Sequence, residues 1–98
     1  MNPLRETASL QVTGVAVEGD PGHEQITHLQ WEAASSVGIA SAQALIGWLA
    51  EDPANEAWLA DGDRRVAVEV VRPVGAPPYL RSRIGGQWGD HLLGLPRL

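Results

Sequence analysis

"SLQVTGVAVEGDPGHEQITHLQW", Ser9 to Trp31, decides the fold, because it reads as two strands joined by a turn. Its first part, Ser9 to Glu18, is rich in β-branched residues and predicts a strand. The alternation changes phase within it. Leu10 and Val12 share one face, and Val15 and Val17 share the other. Gly14 stands at the switch and predicts a bulge or a bend. Turn residues then crowd into Glu18 to Gly22 and reverse the chain. "HEQITHLQWEA" follows as a second strand, with Ile26, Leu29 and Trp31 as apolar anchors.

Further on, "SSVGIAS", Ser35 to Ser41, reads as a loop of small residues. "SAQALIGWLAED", Ser41 to Asp52, predicts a helix. Ala42, Leu45, Ile46 and Leu49 lie at i, i+3, i+4 and i+7 and make one apolar stripe. Ser41 suits the N-cap and Pro53 stops the helix. Gly47 costs about 1 kcal/mol relative to alanine and suggests close approach by another element.

Trp58 and Leu59 belong to a third strand. Asp61-Gly62 turns the chain, with Asp63 extending the loop. Val66, Val68 and Val70 alternate with polar or small neighbours in a fourth strand. "VGAPPYL" turns again. "YLRSRI" is a fifth strand, with Leu80 and Ile84 on one face and Tyr79, Arg81 and Arg83 on the other. "GGQWGD" reads as a turn, and "HLLGLPRL" carries the anchors Leu92, Leu93 and Leu95.

The expected order is β-β-α-β-β-β. It makes one α+β domain over residues 1–98, with an ordered core over residues 8–96. The sheet is mostly antiparallel, carries one packed helix, and curls toward a barrel with help from Gly14.

Bulk properties narrow the function classes. The 98 residues carry a formal net charge of −5, which counts against electrostatic binding to nucleic acid or anionic membrane. All seven basic residues are arginine, a pattern read as coding bias; six of them, from Arg64 onward, lie in the second half. There is no cysteine, so thiolate chemistry and disulfides are absent. No apolar run approaches the roughly 20 residues of a membrane span, and "MNPLRETASL" has no targeting pattern. These features predict a cytoplasmic protein. Four tryptophans and no phenylalanine put Trp31, Trp48, Trp58 and Trp88 in the role of large core residues, or of a binding surface for one or two of them.

His23, Glu24 and His28 spell H-E-x-x-x-H, one residue longer than the zinc-protease motif. At i, i+5 on a helix the two rings diverge by roughly 140°. On a strand, odd spacing sends them to opposite faces. Only a loop or bulge at His23 lets the two converge, with His91 as a third ligand. The sequence therefore assigns no metal site, no cofactor and no catalytic residue. The alternative expectation for His28 is a half-buried ring on the Ile26 face, while His23 and Glu24 bond the turn. The pairs Glu51-Asp52, Asp61-Gly-Asp63 and Glu18-Gly-Asp20 read as turn and helix-end chemistry. No nucleophile–base pair stands out.

Four segments taken together carry a resemblance: "VTGVAVEGDPGHEQITHLQW", "SAQALIGWL", "GDRRVAVEVV" and "YLRSRIGGQWGDHLLGLP". They resemble a family of short bacterial and phage proteins catalogued as domain of unknown function 3892. Its H-E-x-I-T-H-I motif is matched by His23, Glu24, Ile26, Thr27, His28 and Leu29. Its closing motif is matched by Tyr79, Leu80, Arg81, Asp90, Leu92, Leu93, Leu95 and Pro96. Ser82 stands in the place of a threonine and His91 in the place of an asparagine. The resemblance covers most of residues 10–96 and implies a small soluble domain with no assigned activity. It also suggests that Thr27 and His28 bond the chain's last segment, with Asp90 as the partner of His28.

The leading functional expectation is a small non-enzymatic interaction or accessory module of phage or mobile-element type. Its partner is another protein or a second copy, met through a strand edge. The alternative is a metal-dependent hydrolase using His23, Glu24, His28 and His91. A further alternative is single-stranded nucleic-acid binding through Arg81, Arg83 and Trp88, on a surface that includes Tyr79. Net charge counts against the last.

Overall fold

Seven strands and one helix make up the domain, in a computed structural model that describes residues 4, 7–19, 22–34 and 36–98. Asp20 and Pro21 of the expected turn, Ser35 of the expected loop, and Arg5 near the start of the chain lie outside the described residues. The strands are β1 (Ser9–Val17), β2 (Ile26–Ala33), β3 (Ser36–Ser41), β4 (Glu56–Asp61), β5 (Arg64–Val71), β6 (Tyr79–Ile84) and β7 (Gln87–Gly89). The helix, α1 (Ala42–Glu51), lies between β3 and β4. Short 3-10 turns at His23–Gln25 and His91–Gly94 precede β2 and follow β7.

The sheet order is β3-β2-β1-β4-β5-β6-β7. Every neighbouring pair is antiparallel except β1 and β4, which run parallel through Ser9–Glu56, Leu10–Ala57 and Gln11–Trp58. The helix is the crossover that makes this pair possible. It carries the chain from the far edge back past β2 and β1. The result is an α+β domain with a mostly antiparallel sheet and one packed helix. The sheet wraps around α1, which touches β2 and β3 on one side and β5 and β6 on the other. It does not close into a barrel, because β3 and β7 remain its two ends. Among the described residues, no helix is long and apolar enough to cross a membrane.

Two strands appear where turns were expected. β3 occupies "SVGIAS" because the Trp31 indole of β2 lies over its cross-strand partner Gly38. A Cβ at Gly38 would stand 2.9 Å from that ring. The glycine that looks like a loop signal is a packing requirement. β7 is three residues long and pairs with β6 through Gly89, Trp88 and Gln87.

The phase change in β1 has a local cause. Its register with β2 slips between Val12 and Gly14, so Leu10, Val12 and Val15 all reach the core. The C-terminal chain crosses Gly14 closely: a Cβ there would meet the Leu98 side chain at 3.0 Å and the Pro96 carbonyl at 3.3 Å. Val15 N–H donates to Pro96 O at 3.0 Å, and Leu98 N–H donates to Val15 O at 2.9 Å. The edge of β1 beyond its short contact with β4 is thus covered by the chain's own tail.

Ser41 caps α1 as expected, its hydroxyl accepting from Ala44 N–H at 3.0 Å. Leu45, Ile46 and Trp48 are the buried residues of α1, and Ala42 and Leu49 pack beside them. Trp48 lies off the expected stripe, where its indole N–H donates to Thr7 O at 3.2 Å. Gly47 is exposed with open space above it, so the expected close approach does not occur.

Candidate functional site

The chemistry-bearing residues gather around β6, and an uncharged, apolar strand edge stands apart from them at β3. The group around β6 begins at the turn between β1 and β2. Glu18 N–H donates to Gln25 O and Gln25 N–H to Gly22 O, both at 3.0 Å, which closes the loop. The His23–Gln25 turn packs against β6 and buries His23 to 7% exposure. Asp90 lies at the end of the short β7. Arg81 of β6 reaches it, donating from Nε to Gly89 O at 3.0 Å and from a terminal nitrogen to Asp90 Oδ1 at 2.9 Å. His23 Nε2 stands 3.8 Å from the same carboxylate oxygen.

Among the described residues that nitrogen, which is buried, has no hydrogen-bond partner. Loss of solvent holds the His23 pKa below 6.5, Arg81 pushes the same way, and Asp90 and Glu24 oppose them. His23 is therefore an uncharged ring at neutral pH.

The expected contact between His28 and Asp90 is corrected: His23 meets that segment. The register of β1 and β2 slips between Ala16 and Val17, leaving Thr27 unpaired. Ile26 and Leu29 both turn inward across this bulge, and His28 turns out to solvent. His28 is not half-buried. Its Nδ1 lies 3.1 Å from Thr27 Oγ1, and Thr27 Oγ1 donates to Ala16 O at 3.4 Å. Among the described residues, neither Thr27 nor His28 bonds the C-terminal segment. Glu24 is exposed and lines an apolar recess with Pro73, Ala76, Pro77, Pro78 and Tyr79. Among the described residues, no three histidine or carboxylate side chains gather as a metal site would require.

His91 makes a pairing that the sequence does not announce. Its Nδ1 lies 3.1 Å from Ser82 Oγ and its Nε2 lies 3.4 Å from Asp61 Oδ2. Ser82 Oγ also accepts from His91 N–H at 3.2 Å. With the proton on Nε2, His91 accepts from the Ser82 hydroxyl at Nδ1 and sets Nε2 beside the Asp61 carboxylate. The trio has the residue types of a nucleophile, base and orienter. Ser82, however, is 0% exposed. A sealed hydroxyl meets no substrate, and the trio ties the last turn to β6 and to the end of β4. The signal for it is three-dimensional: Asp61 and His91 are thirty residues apart, and only the β4-β5-β6 meander brings them together.

Arg81, Arg83, Tyr79 and Trp88 do share one side of β6 and β7. Arg81 is engaged with Gly89 and Asp90, as above. The Arg83 guanidinium lies 4.8 Å from the centre of the Trp88 ring. Arg65 stacks on Trp58 in the same way at 3.9 Å. Trp31 and Trp48 are core residues, and Trp58 and Trp88 are surface platforms covered by arginine.

The sequence does not announce the β3 edge, because its small residues read as a loop. Among the described residues β3 pairs with β2 alone and leaves its other side free. It carries no charge and no proline, and Val37 and Ile39 are 63% and 62% exposed. Natural sheets usually guard such edges with charge, proline, a bulge or shortness. β7, at the opposite end, is guarded by its length and by the Arg83–Trp88 stack. β3 is not.

Compared with protein-family models, with curated proteins and with solved structures, the chain matches none.

Proposed function

We propose that this protein is a small interaction module that works by strand pairing at β3. The observation that carries the reading is the contrast between the two sheet edges: a guarded β7, and an uncharged six-residue β3 with Val37 and Ile39 in solvent. An open edge offers a row of unpaired backbone groups, and an extended partner supplies the missing strand. Alternate side chains of that partner then meet Val37 and Ile39 on the outer face. Part of the same proposal is membership of the family that the His23–Leu29 and Tyr79–Pro96 motifs resemble. That membership supplies no chemistry.

Selection of extended peptides from a random library tests the reading. The expected winners alternate apolar residues, protect β3 amides from hydrogen exchange, and lose binding to Ile39→Lys. Winners that bind without protecting β3 would refute it.

A further inference from the structure

We infer that the occupant of the β3 edge is a second copy of this chain, paired antiparallel about a two-fold axis at Gly38. The inference rests on the strand-pairing reading above and adds the identity of the partner. Its ground is the self-complementarity of the strand. Antiparallel pairing centred on Gly38 sets Val37 against Ile39 of the second copy, Gly38 against Gly38, and Ser36 against Ala40. Apolar meets apolar on the outer face, and small residues meet on the inner face. A two-fold interface demands this kind of match, because each patch must recognise itself.

The neighbouring strand extends the match. Glu32 pairs with Val37, and Gln30 pairs with Ile39. Each outer-face row across the joined sheets then reads Glu32, Val37, Ile39 of the copy, Gln30 of the copy. The two Glu32 carboxylates fall in different rows, three strand spacings or about 14 Å apart across the sheet. Charges at that separation are screened beyond a Debye length of about 8 Å. Thus a chain of net charge −5 brings no like charges together at this edge. On the inner face, each Gly38 lies beneath its own Trp31 indole, which leaves the two glycines bare to one another. A charged extended partner would find no complement in β3.

The test uses the full chain. Sedimentation velocity over a concentration series should give a reversible monomer–dimer equilibrium. Val37→Lys and Ile39→Lys should each raise the dissociation constant about tenfold, since each breaks two apolar cross-strand pairs on the outer face. Gln43→Lys on the exposed face of α1 should leave it unchanged. The register has its own readout, because the native chain has no cysteine. Mixing Val37→Cys and Ile39→Cys chains should yield a disulfide-linked mixed dimer. Either chain alone should not link, because like positions lie on the diagonal at about 7–8 Å, too far for a disulfide. A chain that stays monomeric throughout, a dimer indifferent to both lysines, or linkage of like positions overturns the inference. None of these outcomes bears on peptide selection, so failure of the second copy and failure of strand pairing remain distinct.

Discussion

His23 shows how burial, more than the charges around it, sets a residue's behaviour. Its ring is buried, Nε2 has no partner among the described residues, and Asp90 is 3.8 Å away, too far for a hydrogen bond. Because its native pKa lies below 6.5, the unfolded chain takes up the proton first as pH falls. The contribution of His23 to stability is therefore full above about 6.5, and it is lost as pH drops from there through the lowered native value. Urea unfolding of wild type and His23→Met between pH 7.5 and 5 should show the wild type losing stability more steeply. Parallel pH dependences would contradict the assignment. Ser82 is the opposite kind of buried polar residue, with all its bonding satisfied. Ser82→Ala strands the His91 N–H and Nδ1, and should cost about 1–3 kcal/mol in the same assay. A neutral effect would mean that water replaces the hydroxyl. The site was half legible at this scale. His23 and His28 do part, but not through odd spacing on one strand: His23 sits in the 3-10 turn before β2, and a bulge at Thr27 that no local pattern marks turns His28 outward.

Glycines separate elements that were legible from one that was not. α1 was readable from its stripe and its Ser41 cap, and Gly47 sits within it facing open solvent. Nothing there repays the flexibility of glycine. Gly47→Ala should stabilise the protein by about 1 kcal/mol, or roughly 4–8 °C in Tm for a domain of this size. Gly38 has the same local signature and the reverse environment. Alanine gains roughly 0.5–1 kcal/mol in backbone entropy. Its Cβ also presses to 2.9 Å from the Trp31 ring, and overpacking costs typically about 1–3 kcal/mol. Gly38→Ala should lower the Tm where Gly47→Ala raises it. Two shifts of the same sign would show that Trp31 gives way. β3 was hidden because small residues signal loops in isolation, and the indole that makes a strand of them comes from seven positions earlier.

The strand order of the whole molecule follows from one strand with two partners on the same side. β1 gives its first residues to β4 and its Val15 to the C-terminal tail, with the bulge at Thr13 between them. Hairpins were readable because neighbours in sequence pair locally, as β4, β5 and β6 do. The parallel β1–β4 pair and the tail were not, since both join positions more than forty residues apart. The tail matters for the same reason that β3 matters: it covers an edge that would otherwise stand open. Removing Pro96, Arg97 and Leu98 deletes both backbone bonds to Val15 and uncovers Gly14. Val15 N–H and C=O then turn to water, so the loss should be about 0.5–1.5 kcal/mol per bond. The truncated protein should stay folded, with a lower Tm and a Val15 amide that exchanges far faster. It should also self-associate more readily, because β1 now presents its own unpaired groups beside Val17. Hydrogen exchange read residue by residue decides it. A Val15 amide as protected as before would mean that β1 is held by β2 and β4 alone.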